Sequence, residues 1–167
     1  MSRIREHKVL YVILGLGAAL TFFGHAMWAV RGKDTFVKLL TGTLDKVGIT
    51  MSAGTGENWV KGIGLFDIVV ALVMGVLIIG AWRERGRLYR LAYSPFAMVV
   101  FGWGAAWGFL TALSRVTSAS TWYPEVWDWV ERAPNFMIAV AMVYVISCHR
   151  TLGVPSHAPS REEILSA

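Results

Sequence analysis

The chain is poor in the residues that reactive chemistry uses most. It has one cysteine, Cys148, in 167 residues. An internal disulfide, a CxxC redox pair and a thiolate metal cluster within one chain are therefore excluded. No glycine-rich loop of phosphate-binding form occurs. Gly62-x-Gly64-x-x-Asp67 has the spacing of part of a dinucleotide motif, but it opens an apolar helical stretch with no strand before it, so that reading fails. No Ser/His/Asp set has supporting context. Acidic residues number 11 against 16 Lys and Arg, for a net charge of +5. The basic residues flank apolar blocks. They read as anchors against anionic lipid headgroups, and no nucleic-acid partner is expected.

What the chain has in excess is apolar surface. It is 55% hydrophobic, with a mean hydropathy of +0.51, where soluble domains hold roughly 45–50% apolar residues. The excess falls in blocks. The expected fold is all-α: an integral membrane four-helix bundle in one domain, residues 1–152, with spans at about 9–30, 61–82, 94–114 and 130–149. The first apolar run reaches Val30, well beyond the ~7–15 residues of a signal peptide, and reads as a retained helix. Ser94-Pro95 forms a cap and first turn for the third span. The fourth is the weakest, because its clean run from Phe136 to Cys148 is short and must draw in residues 130–135. Pro134 either starts that helix or kinks it. Trp122, Tyr123, Trp127 and Trp129 suit an interfacial belt.

Orientation follows from the short loops. Arg3, Arg5 and Lys8 precede the first span, Arg83, Arg85, Arg87 and Arg90 fill the turn between the second and third, and Arg150 and Arg161 follow the last. The positive-inside rule makes these segments cytoplasmic, giving an N-in, C-in topology with a polar cytoplasmic tail over 153–167. The first outer loop also carries Arg31, Lys33, Lys38, Lys46 and Lys61, which weakens the contrast. In that loop Phe36, Leu39, Leu40, Leu44 and Val47 recur at helical spacing, which predicts a short amphipathic helix on the outer surface, ended by Gly48.

The few polar residues of the spans collect toward the outer side. At ~1.5 Å per residue, His25 lies about 9 Å below the outer end of its helix and Asp67 about as deep in the next. Thr111 and Arg115 end the third span; Arg132 and Asn135 begin the fourth, beside Glu131. Each rides a face of small residues. Gly64, Asp67, Ala71 and Gly75 share one face, Gly104, Gly108, Thr111 and Arg115 another, Gly17, Thr21, His25 and Trp28 a third, and Asn135, Ala139 and Met142 a fourth. Small residues let helices approach closely, so Gly64, Ala71, Gly75, Gly104 and Gly108 are expected packing positions and the polar groups are expected to converge inside the bundle.

The candidate ligand-binding or proton-carrying residues are therefore His25, Asp67, Thr111, Arg115, Arg132 and Asn135. An ionised Asp67 would need Arg115, Arg132 or protonated His25 nearby; the competing reading is a buried hydrogen bond that fixes packing. His25 suits a quinone carbonyl or a pairing with Asp67. Haem ligation by His25 and His149 is not expected, because topology puts them roughly 20 Å or more apart. No third strong ligand supports a metal. Trp103 and Trp107 read as packing and interfacial anchors, and Cys148 as an apolar packing residue.

Gly24-His25, Lys33 with the amphipathic segment through Val47-Gly48-Ile49, and Gly62-Ile63-Gly64-Leu65-Phe66-Asp67 before a run to Gly80 and the arginine turn occur in that order. This order resembles the DoxX-like family of small bacterial four-helix membrane proteins over about half the chain. That family more often has Glu where Asp67 stands. The resemblance implies a bundle in the bacterial inner membrane; some relatives are implicated as subunits of thiosulfate:quinone oxidoreductase. Sulfur chemistry does not carry over, since no cysteine or metal constellation suits it.

Two functions are expected from these residues. The first is a non-catalytic accessory subunit of a larger membrane redox or photosynthetic complex, or a homo-oligomer, held by small-residue faces and lipid contacts. The second is a quinone- or small-molecule-binding oxidoreductase subunit with a polar pocket at the outer side. No cofactor is demanded by the sequence, and a quinone is the one its polar residues would suit.

Overall fold

The computed structural model describes residues 2–83, 86–117 and 123–151. Among them all regular structure is helical: α1 (Ser2–Val30), α2 (Asp34–Lys46), α3 (Ala53–Arg83), α4 (Gly86–Ala92), α5 (Pro95–Thr117) and α6 (Tyr123–Thr151). Three of these, in α1, α3 and α5, are long and apolar enough to cross a bilayer. Their outward faces carry large apolar side chains; Ile13, Leu72 and Val99 are 62%, 62% and 70% exposed. Apolar surface on that scale suits a hydrocarbon solvent better than water. α6 is 29 residues long, but Glu131, Arg132 and Asn135 make its first half more polar.

The long helices alternate in direction, as paired positions show. On the α1–α3 seam a Cβ on Gly64 would meet Ala29 Cβ and Val30 N at 2.8 Å, and one on Gly15 would meet Ile78 Cγ1 at 2.8 Å. On the α5–α6 seam Gly108 faces Phe136 Cβ at 3.0 Å, and Gly104 faces Met74 Cε at 3.0 Å and Ala139 Cβ at 3.6 Å. Backbones approach here because a hydrogen replaces a side chain. Gly17 faces Ile138 at 3.6 Å, which joins α1 to α6. The core between them holds Tyr11, Met74, Leu77, Phe101, Met142 and Ile146, all essentially inaccessible.

Gly75 is not a packing position: a Cβ there would meet nothing within 4 Å. The buried stripe of α3 runs through Gly64, Asp67, Ala71, Met74 and Ile78 instead. A step of four residues turns about 40° past a full revolution, so a further step from Ala71 carries Gly75 to the edge.

Element boundaries differ from the sequence expectation in three places. α3 starts eight residues before Lys61, because Ser52 caps it: its Oγ accepts the Thr55 N–H at 3.2 Å and its carbonyl accepts the Gly56 N–H at 2.9 Å. The arginine turn is itself partly helical, as α4, which packs against Gly80. Tyr11 Oη donates to the Ala92 carbonyl at 2.8 Å and ties this segment to α1. α6 begins at Tyr123 and continues through Pro134, so that proline does not start the helix. The Val130 carbonyl thereby loses its usual helical donor. Trp122, Arg85 and the tail 153–167 lie outside the described residues, as do the side chains of Tyr123, Trp127, Trp129 and Glu131.

The amphipathic helix forms as its periodicity predicts, at Asp34–Lys46. It is bracketed by Gly32 at φ 64° and Gly48 at φ 79°. Both lie in the left-handed region that other residues enter at a cost, and they reverse the chain into and out of α2.

Candidate functional site

All six candidate residues line one cavity of about 400 Å³. Its sides are α1, α3, α5 and the start of α6. Its outer cover is the apolar face of α2, through Phe36, Leu39, Leu40 and Leu44. Phe36 stands edge-on to the His25 ring, with centroids 6.3 Å apart. The far end of the cover is held where Thr43 Oγ1 and Thr117 Oγ1 share a hydrogen bond of 3.0 Å. The walls are mainly aliphatic and aromatic, with a few polar groups set among them, the usual composition of a small-molecule site.

Asp67 is the most buried polar group of this cavity, 4% exposed. Of the two readings of Asp67, a cation beside it or a buried hydrogen bond, the described residues supply the hydrogen bond. Trp107 Nε1 donates to Asp67 Oδ2 at 3.0 Å. The Trp103 indole, stacked on Trp107 with centroids 6.0 Å apart, approaches the same carboxyl. Oδ1 is buried and makes no hydrogen bond among the described residues. Helix pairing explains the outcome. α3 and α5 run antiparallel and bring residue 107 opposite 67, while Arg132 lies on α6, across the bundle beside α1. By sequence alone Trp107 reads as a packing or interfacial anchor. The signal which that reading passes over is that a buried indole N–H needs an acceptor, and Asp67 is the acceptor at matching depth.

Arg132 instead serves His25. Its Nδ1 lies 2.9 Å from the Thr21 carbonyl, which can only accept, so Nδ1 carries the proton and donates. Nε2 is then the acceptor for Arg132 Nη1 at 3.3 Å. Both ring nitrogens are occupied, and the pair bridges α1 and α6. Thr111 spends its hydroxyl proton on the Gly108 carbonyl at 2.9 Å, so it contributes wall more than recognition. Asn135 is half-buried and lines the cavity from α6, as Arg115 does from α5.

A second space of about 420 Å³ adjoins the first. His25, Arg132, Arg115 and Asn135 line both. It adds Lys33, whose Nζ stands 4.4 Å from the Trp28 ring centroid, and it reaches Leu20 and Gly24 on the outward face of α1. Lys33 was not a candidate from sequence, because a lysine just beyond a helix end is most often a simple anchor.

The opposite end of the bundle holds a separate aromatic cluster. His149 is 7% exposed. Its Nε2 and Tyr89 Oη are 3.2 Å apart, and Tyr93 stacks on the ring at 3.7 Å between centroids. His25 and His149 thus belong to different networks at different ends. Among the described residues no group of three or more His, Cys, Asp or Glu could hold a metal ion.

No protein-family model matches the chain, and comparison with curated proteins and with solved structures gives no significant match.

Proposed function

We propose that this chain is a multi-pass membrane protein that holds a lipophilic small molecule in the cavity beneath α2, with a polar group of that molecule meeting Asp67. One observation carries the reading: a cavity of about 400 Å³ with mainly apolar walls is lined by Asp67, whose buried Oδ1 has no hydrogen-bond partner among the described residues. A buried acceptor left unmade costs roughly 1–3 kcal/mol, and a ligand hydroxyl or N–H at Oδ1 would recover it. A quinol offers that hydroxyl, and its second oxygen could take a hydrogen bond from Arg132. α6 acts as the fourth span, both termini lie in the cytoplasm, and the membrane is the bacterial inner membrane. The arginine-rich turn and the DoxX-like order of motifs support those three points. The accessory-subunit reading gains no observation of its own, since acyl chains would cover the outward apolar faces as well as a partner would.

The test is extraction. Protein purified from its native membrane in mild detergent is extracted with organic solvent, and the lipophiles are identified by mass spectrometry. A specific molecule should accompany the wild type at near-stoichiometric yield and be lost from Asp67→Leu and His25→Ala. Identical extracts from all three would overturn the proposal.

A further inference from the structure

The second space is chemically unlike the first. Its described lining includes Lys33, Arg115 and Arg132 and no acidic residue. Thr21, Thr35 and Asn135 add neutral polar groups. On α1 it spans Leu20 to Trp28, beside the Thr21 to Ala29 lining of the apolar chamber, and the two spaces share His25 and Arg132, which lie 3.3 Å apart. On α1 its rim is formed by Leu20, Gly24 and Trp28, of which Leu20 is 68% exposed. A Cβ on Gly24 would meet nothing within 4 Å, so the rim is open on the face that looks away from the bundle.

We infer that this vestibule is a head-group site, and that the occupant of the whole space is an anionic amphiphile entering sideways from the outer leaflet between α1 and α6. The inference rests on the proposed small-molecule cavity and adds the chemistry of the ligand's other end. A carboxylate or phosphate lies against Arg132 and Lys33. The hydrocarbon body fills the chamber under Phe36, Leu39, Leu40 and Leu44, and a hydroxyl along that body donates to Asp67 Oδ1. Arg132 has a reason to be where it is: one guanidinium nitrogen is fixed by His25, which aims the remaining donors. The two rooms match the two halves of such a ligand, apolar walls for the body and a cationic rim for the head.

The experiment uses the purified full chain in a neutral detergent with three probes: 12-hydroxystearate, its methyl ester and stearate. Binding is read by calorimetry, with thermal midpoints as a check on folding. The hydroxy acid should bind roughly tenfold more tightly than its ester, the worth of one charge-assisted hydrogen bond. Arg132→Gln should reduce that preference to threefold or less. Gly24→Leu places its Cβ in open space at the rim, and should weaken the acid at an unchanged thermal midpoint. Equal affinity for acid and ester overturns the anionic head while leaving the cavity reading intact. A preference for the acid that survives both Arg132→Gln and Gly24→Leu overturns the vestibule as its location. No binding of any probe, with no extractable lipophile, sinks both readings. Phosphatidylglycerol as competitor distinguishes the sources: displacement of the acid indicates a phospholipid with one chain inserted, and no displacement indicates a free acid.

Discussion

Trp107 on α5 donates its indole N–H to one oxygen of Asp67 on α3, at 3.0 Å, and leaves the other oxygen buried with no hydrogen bond among the described residues. The carboxyl is thus oriented by a neutral donor and carries one acceptor position to spare. A cation at the same place would have made an ion pair and left little to offer a ligand.

The contribution of this pair to stability can be separated from the burial of its members. Trp107→Phe keeps most of the apolar volume and removes the donor, so it should cost about 1–3 kcal/mol. Asp67→Leu removes the acceptor along with the need for it. The double variant should therefore be more stable than the sum of the two single losses predicts. Thermal unfolding in detergent reads all three; strict additivity would show that the 3.0 Å contact contributes nothing.

Two glycines on α3 should respond in opposite ways to the same change. Gly64→Ala drives a methyl against the backbone N of Val30 and the Ala29 side chain, and overpacking of this kind costs about 1–3 kcal/mol. Gly75→Ala enters open space, and removing a helix-interior glycine should leave the thermal midpoint unchanged or raise it. Equal losses at both positions would contradict the α1–α3 seam described above.

The cover over the cavity can be locked. With Cys148→Ser as background, Thr43→Cys and Thr117→Cys stand where the two hydroxyls are 3.0 Å apart. Mild oxidation should cross-link α2 to the end of α5 within one chain. The cross-linked protein should exchange bound lipophile more slowly than its reduced form. Failure to cross-link would mean that α2 does not rest over the α5 terminus.

Orientation is open to a direct labelling test. In the same cysteine-free background, a single cysteine at Lys46 should react with a membrane-impermeant maleimide added to intact cells. One at Arg87 should react only after the membrane is opened. The reverse pattern would invert the proposed topology.

The aromatic cluster around His149 gives a prediction independent of the cavity. Tyr89→Phe removes the hydroxyl beside His149 Nε2 and keeps both ring contacts. It should lower stability by about 1 kcal/mol, an ordinary hydrogen bond, with no change in the lipophile extracted. Loss of the lipophile would tie the two ends of the bundle together.

Much of this could be read along the chain. Apolar runs and their length gave the long helices, and the 3.6-residue spacing of Phe36, Leu39, Leu40 and Leu44 gave α2. Counting residues from the helix ends gave the shared depth of His25, Asp67, Arg132 and Asn135, because rise per residue is nearly constant. Periodicity also names a face for each helix, which is why Gly64, Gly104 and Gly108 were identifiable as close approaches.

What the chain order cannot state is which faces meet. That is decided when all the helices pack at once and each rotates to satisfy several neighbours. Tertiary structure therefore set Trp107, rather than an arginine or histidine, against Asp67, turned Gly75 to the edge, and gave Arg132 to His25. It also made the cavity, which exists only because α2 closes over a gap that no single helix contains.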